Sequence, residues 1–172
     1  MAKDPFDDPR LTALGLFVEA HDGVLGELAA VHAHYNLSGA DAGVLMRLVR
    51  SPGRRLRMTD LAAQTDLSTS GITRIVDRLE RRGLVRRELS PNDRRSWLAV
   101  LTDTGYQRLR TELRPLLATI QRTLLDPLAD AQRDTFLQAL RTLRDTLRPA
   151  AARVTPTGDH NAPGKPRRHP AE

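Results

Sequence analysis

Residues 56–105 read LRMTDLAAQTDLSTSGITRIVDRLERRGLVRRELSPNDRRSWLAVLTDTG, and the order of signals inside that stretch decides the fold. Thr59 stands where an N-cap would open a short helix, Asp60 to Gln64, with Asp60 close to its positive end. Asp66-Leu67-Ser68 makes a turn. Ser68 or Thr69 caps the next helix, and at about 100° per residue its Ile72, Ile75, Val76 and Leu79 fall on one narrow face. Ser70, Arg74, Asp77 and Arg81 lie opposite, with Thr73 and Arg78 on the flanks. Gly83 supplies the left-handed residue that stops a helix, and Leu84 is the apolar residue that closes such a cap. Leu84 to Glu88 and Ser96 to Leu101 then read as two short strands joined by Ser90-Pro91-Asn92-Asp93, a run of strong turn formers. Trp97 reads as packing for this hairpin rather than as a platform for bases.

Outward from this centre the chain is helical. Leu11, Leu14, Val18, Leu25 and Leu28 recur at helical spacing, which predicts one long helix over about residues 9–35, ending near Asn36. Ser38 caps a second helix with Val44, Leu45, Leu48 and Val49 as its buried stripe, broken at Ser51-Pro52-Gly53. On the other side Thr102-Asp103 caps a long helix carrying Leu109, Leu113, Leu116, Ile120 and Leu124. Pro115 inside it predicts a kink there or a displaced helix start, because proline lacks a donor and clashes with the preceding turn. A last helix, about Asp130 to Leu147, spaces Phe136, Leu140, Leu143 and Leu147 as paired helices do. The Pro-, Ala-, Gly- and Arg-rich residues 149–172 show no periodicity and read as a disordered tail. The expected architecture is mostly α with a small β-hairpin wing, a winged helix-turn-helix. Residues 38–102 form its central lobe, between an N-terminal helix (1–37) and C-terminal helices (103–148).

Composition restricts the function classes. Aromatic residues are only 3% of the 172, so Leu, Val, Ile and Ala must build the core, which favours helices over an aromatic-rich sandwich. With no cysteine, disulfides, thiolate zinc sites, iron–sulfur clusters and thiol redox sensing are excluded. There is no apolar run of about 18 residues, and the acidic start (Asp4, Asp7, Asp8) does not resemble a signal peptide, so a cytosolic protein is expected. Of a formal net charge of +6, the stretch Arg47 to Arg95 carries more than all, with 13 arginines against six carboxylates. Solvated charged faces explain most arginine-rich stretches, but excess focused this way is also the footprint of a polyanion partner. Phosphate-cradling glycine loops, His-Glu-x-x-His and nucleophile elbows are absent, and the scattered carboxylates form no nuclease-like metal cluster. No enzyme, cofactor or metal is expected. His21, His32 and His34 form no i, i+4 pair and read as solvated or packing side chains.

A second helix faced with Ser, Thr and Arg, followed by a basic hairpin tip, is the chemistry that groove reading needs. The stretch resembles the multiple antibiotic resistance regulator (MarR) family along nearly its whole length. Its most specific parts are ITRIVDRLERRGLV (Ile72 to Val85) and Asp93-Arg94-Arg95 followed by Leu101-Thr102, and the likeness extends over about residues 10–147. The resemblance implies a triangular homodimer with interdigitated terminal helices, a pseudo-palindromic operator in double-stranded DNA, and repression relieved by a small-molecule effector. It also implies that Ser68, Thr69, Ser70, Gly71, Thr73, Arg74 and Arg78 contact bases and phosphates. At the wing it implies that Arg95 enters the minor groove, oriented by Asp93, with Arg94 sharing the role. An effector would be a phenolic or other amphipathic compound in the crevice where the dimer helices meet the DNA-binding lobe. The rival reading is a winged-helix module for protein interaction or for packaging DNA without a defined operator.

Overall fold

The computed structural model describes residues 4–91 and 93–152, with the side chains of Pro5, Asp93 and Arg94 outside that description. Helix α1 spans Pro9–His34 and α2 spans Gly39–Val49. Strand β1 (Arg55–Arg57) leads straight into α3 (Met58–Thr65), which turns into α4 (Thr69–Arg81). Strands β2 (Val85–Ser90) and β3 (Asp93–Leu101) follow, then α5 (Asp103–Ile120), α6 (Asp130–Leu147) and a single turn, α7 (Pro149–Ala152). The fold is mostly helical, with one small antiparallel sheet in the order β1-β3-β2.

Local chemistry accounts for the boundaries. The Ser38 hydroxyl accepts from the Asp41 backbone N–H (3.1 Å) while the Asp41 carboxylate accepts from Ser38 N–H (3.0 Å), a reciprocal box that starts α2. Asp66 takes a left-handed φ of 58° to end α3 and swing the chain into α4. Gly83, at φ 68°, ends α4 with two bonds, Gly83 N–H to Glu80 O (2.9 Å) and Leu84 N–H to Leu79 O (3.0 Å). The core lies where α2, α3, α4 and the sheet meet, with Val44, Leu45, Leu48, Leu61, Ile72, Val76 and Leu79 fully buried.

Several sequence expectations are corrected. Thr59 does not cap α3: the cap position is Arg57, without a side-chain bond, because β1 pairs with β3 (Leu56 opposite Ala99) and delivers the chain directly into the helix. The hairpin strands are longer than expected, β2 reaching Ser90, which pairs with Asp93 of β3. Helix α5 starts at Asp103 and continues through Pro115, leaving α-helical geometry only in a π-helical stretch at Gln121–Leu125. The Thr111 carbonyl, which Pro115 cannot serve, accepts from the Tyr35 hydroxyl instead (3.3 Å). Pro149–Ala152, expected to begin the tail, form a helical turn beside α3; the rest of that expected tail lies outside the described residues. Trp97 remains 49% exposed, so hairpin packing does not cover it.

Candidate nucleic-acid interface

The outward side of α4 begins at its N-terminus. The Ser68 hydroxyl accepts from Gly71 N–H (3.0 Å), so Ser68 acts first as the helix cap. Thr69, Ser70, Thr73 and Arg74 are exposed, and Gly71 is half-buried. The Thr73 hydroxyl donates to Thr69 O (2.8 Å), which leaves its lone pairs outward as acceptors. Arg74 makes no ion pair or side-chain hydrogen bond among the described residues and is free to project. These groups sit at the positive end of α4, where unpaired backbone N–H groups favour an anion.

The wing is fastened to this helix. Arg87 of β2 bonds Asp77 (2.5 Å) and Glu80 (3.0 Å), and donates to Thr73 O (3.3 Å), so three polar contacts link β2 to the outer side of α4. Between them lies an open cleft of about 620 Å³ whose walls include Arg57, Thr59, Thr73, Arg87, Arg95 and Trp97. Arg95 is exposed on β3 at one wall of this cleft, with Thr73 on the α4 side. Of the residues anticipated from sequence, Thr73 and Arg95 therefore flank one groove, and Thr69, Ser70 and Arg74 lie along the adjoining helix face. The side chains of Asp93 and Arg94 lie outside the described residues.

Arg78 is placed differently from Arg74. Its guanidinium donates twice to Asp41 Oδ1, from Nη2 at 2.6 Å and Nε at 3.1 Å. Asp41 is buried (3% exposed) at the start of α2. Burial pushes its carboxyl upward, but the Arg78 bond and the Ser38 backbone and hydroxyl donors outweigh that and hold it below the ordinary carboxylate value. Asp41 carries no local sequence signal for this pairing. The serine-to-aspartate spacing of the α2 cap marks its helix role, but its bond to α4 spans 37 positions.

A second polar pair is buried away from this face. His32 Nδ1 and Glu112 Oε1 share a hydrogen bond between α1 and α5. Glu112 Oε2 is buried without a hydrogen-bond partner among the described residues. His32 is thus a packing histidine, as anticipated, while His21 and His34 are exposed. Glu112 was not anticipated, since a lone acid in a Leu-striped helix reads as solvent-facing.

A profile described as MarR family matches residues 35–96. The solved structure of Sco3205, a MarR family transcriptional regulator from Streptomyces coelicolor in complex with DNA, is similar to this chain at 31% identity. The likeness covers 80% of this chain and 90% of that one, with a TM-score of 0.74. The chain belongs to the MarR family. This MarR chain is also 32% identical to a protein named for transcriptional regulation of the hcr operon in Thauera aromatica, over 64% of its own length and 66% of that protein's. It thus spans slightly under two thirds of that curated relative. CouR of Rhodococcus jostii RHA1, solved bound to p-coumaroyl-CoA, is similar at 26% identity and a TM-score of 0.70, covering 86% of this chain and 97% of CouR. CouR has also been solved on a 23-mer DNA duplex. MarR proteins are transcription regulators and not enzymes. Among the described residues no helix is long and apolar enough to cross a membrane.

Proposed function

We propose that this MarR-family protein is a homodimeric repressor that reads a pseudo-palindromic operator with α4 and the wing. The observation that carries the reading is the outward N-terminal face of α4, where Thr69, Ser70, Thr73 and Arg74 are exposed beside a cleft bounded by wing Arg95. Hydroxyl and guanidinium groups on a helix held by an Ile and Val face suit base edges in the major groove. Ser68 and Gly71 serve by presenting the helix start to a phosphate. Arg95 takes the neighbouring minor groove, oriented by Asp93 and with Arg94 sharing the role, where potential rather than base pattern attracts a cation. Arg78 acts at one remove: its bond to Asp41 sets the angle of α4 against α2. In this proposal residues 38–102 are the DNA-binding lobe, and residues 1–37 with 103–148 build the dimer.

An amphipathic effector is part of the proposal. A cavity of about 130 Å³ between α1, α2 and α5 is walled by Met46, Val49, Leu109, Leu113 and Leu116, with His32, Tyr106, Arg110 and Glu112 as its polar side chains. Its largely apolar lining with a few polar groups resembles that of small-molecule sites, but at about 130 Å³ it must widen to hold a drug-sized effector; CouR, similar in fold, is solved with p-coumaroyl-CoA. DNase footprinting over the promoter beside its own gene, in excess competitor DNA, tests the function. A two-fold symmetric protected site surviving competitor is the expected result. Uniform weak protection would instead support a packaging or protein-interaction module.

A further inference from the structure

A different cavity, of about 350 Å³, is walled by Gly43, Met46, Arg47 and Arg50 of α2, Arg144 of α6 and Ala151 of α7. Three guanidinium groups line it, and their counter-charges are sparse. Arg47 donates to two backbone carbonyls, Ala151 O (3.2 Å) and Gln64 O (3.3 Å), and to no carboxylate among the described residues. Arg50 is exposed and has no ion pair or side-chain hydrogen bond among the described residues. Arg144 pairs with its chain neighbour Asp145 (2.7 Å), and Arg148, one turn on, lies 3.6 Å from Asp66. Burial, and then the like charges of Arg50, Arg148 and Arg144, hold the Arg47 guanidinium below its ordinary value. Cations gathered at a concave surface focus a positive potential there, and neither Arg47 nor Arg50 has a carboxylate partner among the described residues.

We propose that the α2–α6–α7 cavity binds a small phosphate-bearing polyanion through Arg47, Arg50 and Arg144. Planar guanidinium forks match phosphate oxygens in pairs, and a lone carboxylate would leave most of these donors unused. Met46 gives the cavity an apolar wall, which suits a phosphate ester better than a bare ion. Duplex DNA is the rival occupant, but no lining residue belongs to α4 or the wing. Arg47 also bonds the last turn of α3, and Arg148 reaches Asp66 in the turn before α4. An anion here fastens α6 and α7 to the helix-turn-helix and so biases its DNA affinity. That consequence rests on the DNA-binding reading above; anion binding itself does not.

The test titrates the full-length protein with inorganic triphosphate, and in a second arm with ADP, by calorimetry at constant ionic strength with sodium chloride as the control. Saturable binding of triphosphate and an upward melting shift are expected, and ADP binding as tight or tighter identifies a phosphate ester as the natural class. The Arg50→Gln, Arg144→Gln double variant should bind at least about tenfold more weakly, whereas Arg74→Ala should bind as the parent does. Arg50→Gln alone, at an exposed side chain with no partner to lose, gives the same readout if the double variant misfolds. Absence of saturable binding in the parent overturns the proposal. So does binding unchanged by the Arg50 substitution, or binding lost in Arg74→Ala and displaced by duplex DNA, which would put the anion on the DNA face.

Discussion

Asp41 and Arg74 show how differently two charged residues near one helix can act. Asp41 is buried, caps α2 and holds Arg78, so Asp41→Asn removes a charge-assisted bond and leaves part of the cap. A loss of about 1 to 3 kcal/mol is expected in urea unfolding. Because the folded-state carboxyl is held below its ordinary value of 3.8, its stabilisation is full above that value and is lost as pH falls through the folded one. Melting of the parent should therefore fall more steeply in acid than that of Asp41→Asn, and parallel curves would refute the linkage. Arg74 makes no side-chain bond among the described residues, so Arg74→Ala should leave melting unchanged. It should relax base preference if it reaches a guanine edge, a contact worth about 1 to 3 kcal/mol of discrimination. Arg95→Ala at the wing should weaken binding to most sequences alike and flatten the salt dependence by about one unit of slope. Affinities for operator and random duplex at several salt concentrations separate the two, and identical profiles would deny α4 and the wing their distinct roles.

Elements join at places where backbone, rather than side chain, sets the tolerance. Thr102 bonds Gly83 O (2.7 Å) through its hydroxyl and Leu84 O (3.1 Å) through its backbone, tying the end of β3 to the end of α4. A Cβ built on Gly105 would stand 2.2 Å from Leu84 O and 2.8 Å from Leu101 Cδ1. Gly105→Ala must therefore shift α5 against the sheet, at a cost of about 3 kcal/mol, and an unchanged melting temperature would disprove this close approach. That constraint was invisible in the sequence, where Gly105 reads only as the third residue after a cap. Local, periodic features were legible: the Ile72, Ile75, Val76 and Leu79 face of α4 is buried, and Gly83 is left-handed. Strand β1 was not, because Arg-Leu-Arg is too short to alternate and owes its conformation to pairing with β3. In the candidate site the exposed Ser70 and Arg74 followed from helical phase alone, whereas the place of Thr69 rested on the family resemblance. The diversion of Arg78 to Asp41 depends on a contact between helices that no local pattern encodes.

At the scale of the whole molecule, the apolar surface on α1 demands a partner. Leu14 is 59% exposed, Leu16 62% and Phe17 53%, and at about 100° per residue Leu14 and Phe17 share one stripe with Leu11, Val18 and Leu25, while Leu16 lies off it. An apolar stripe left facing water is stable only when something covers it. Helix α6 adds Leu143 at 47% and Leu147 at 72%, and an exposed surface of this kind marks an interface. In a closed two-fold dimer the same helices of two copies would cover one another. Light scattering on the 19.1 kDa chain should then report twice the chain mass at micromolar concentration, with melting that rises with concentration. The Leu14→Asp, Leu16→Asp double variant places two charges on that surface and touches none of the buried core around α2, α3 and α4. It should shift the mass toward one chain and weaken operator binding far more than binding to a single half-site, since α4 and the wing are unaltered while their two-fold pairing is lost. A folded, monodisperse parent monomer at micromolar concentration would overturn the dimer. Equal losses on operator and half-site would mean that α1 supports the lobe itself rather than the pairing of two lobes.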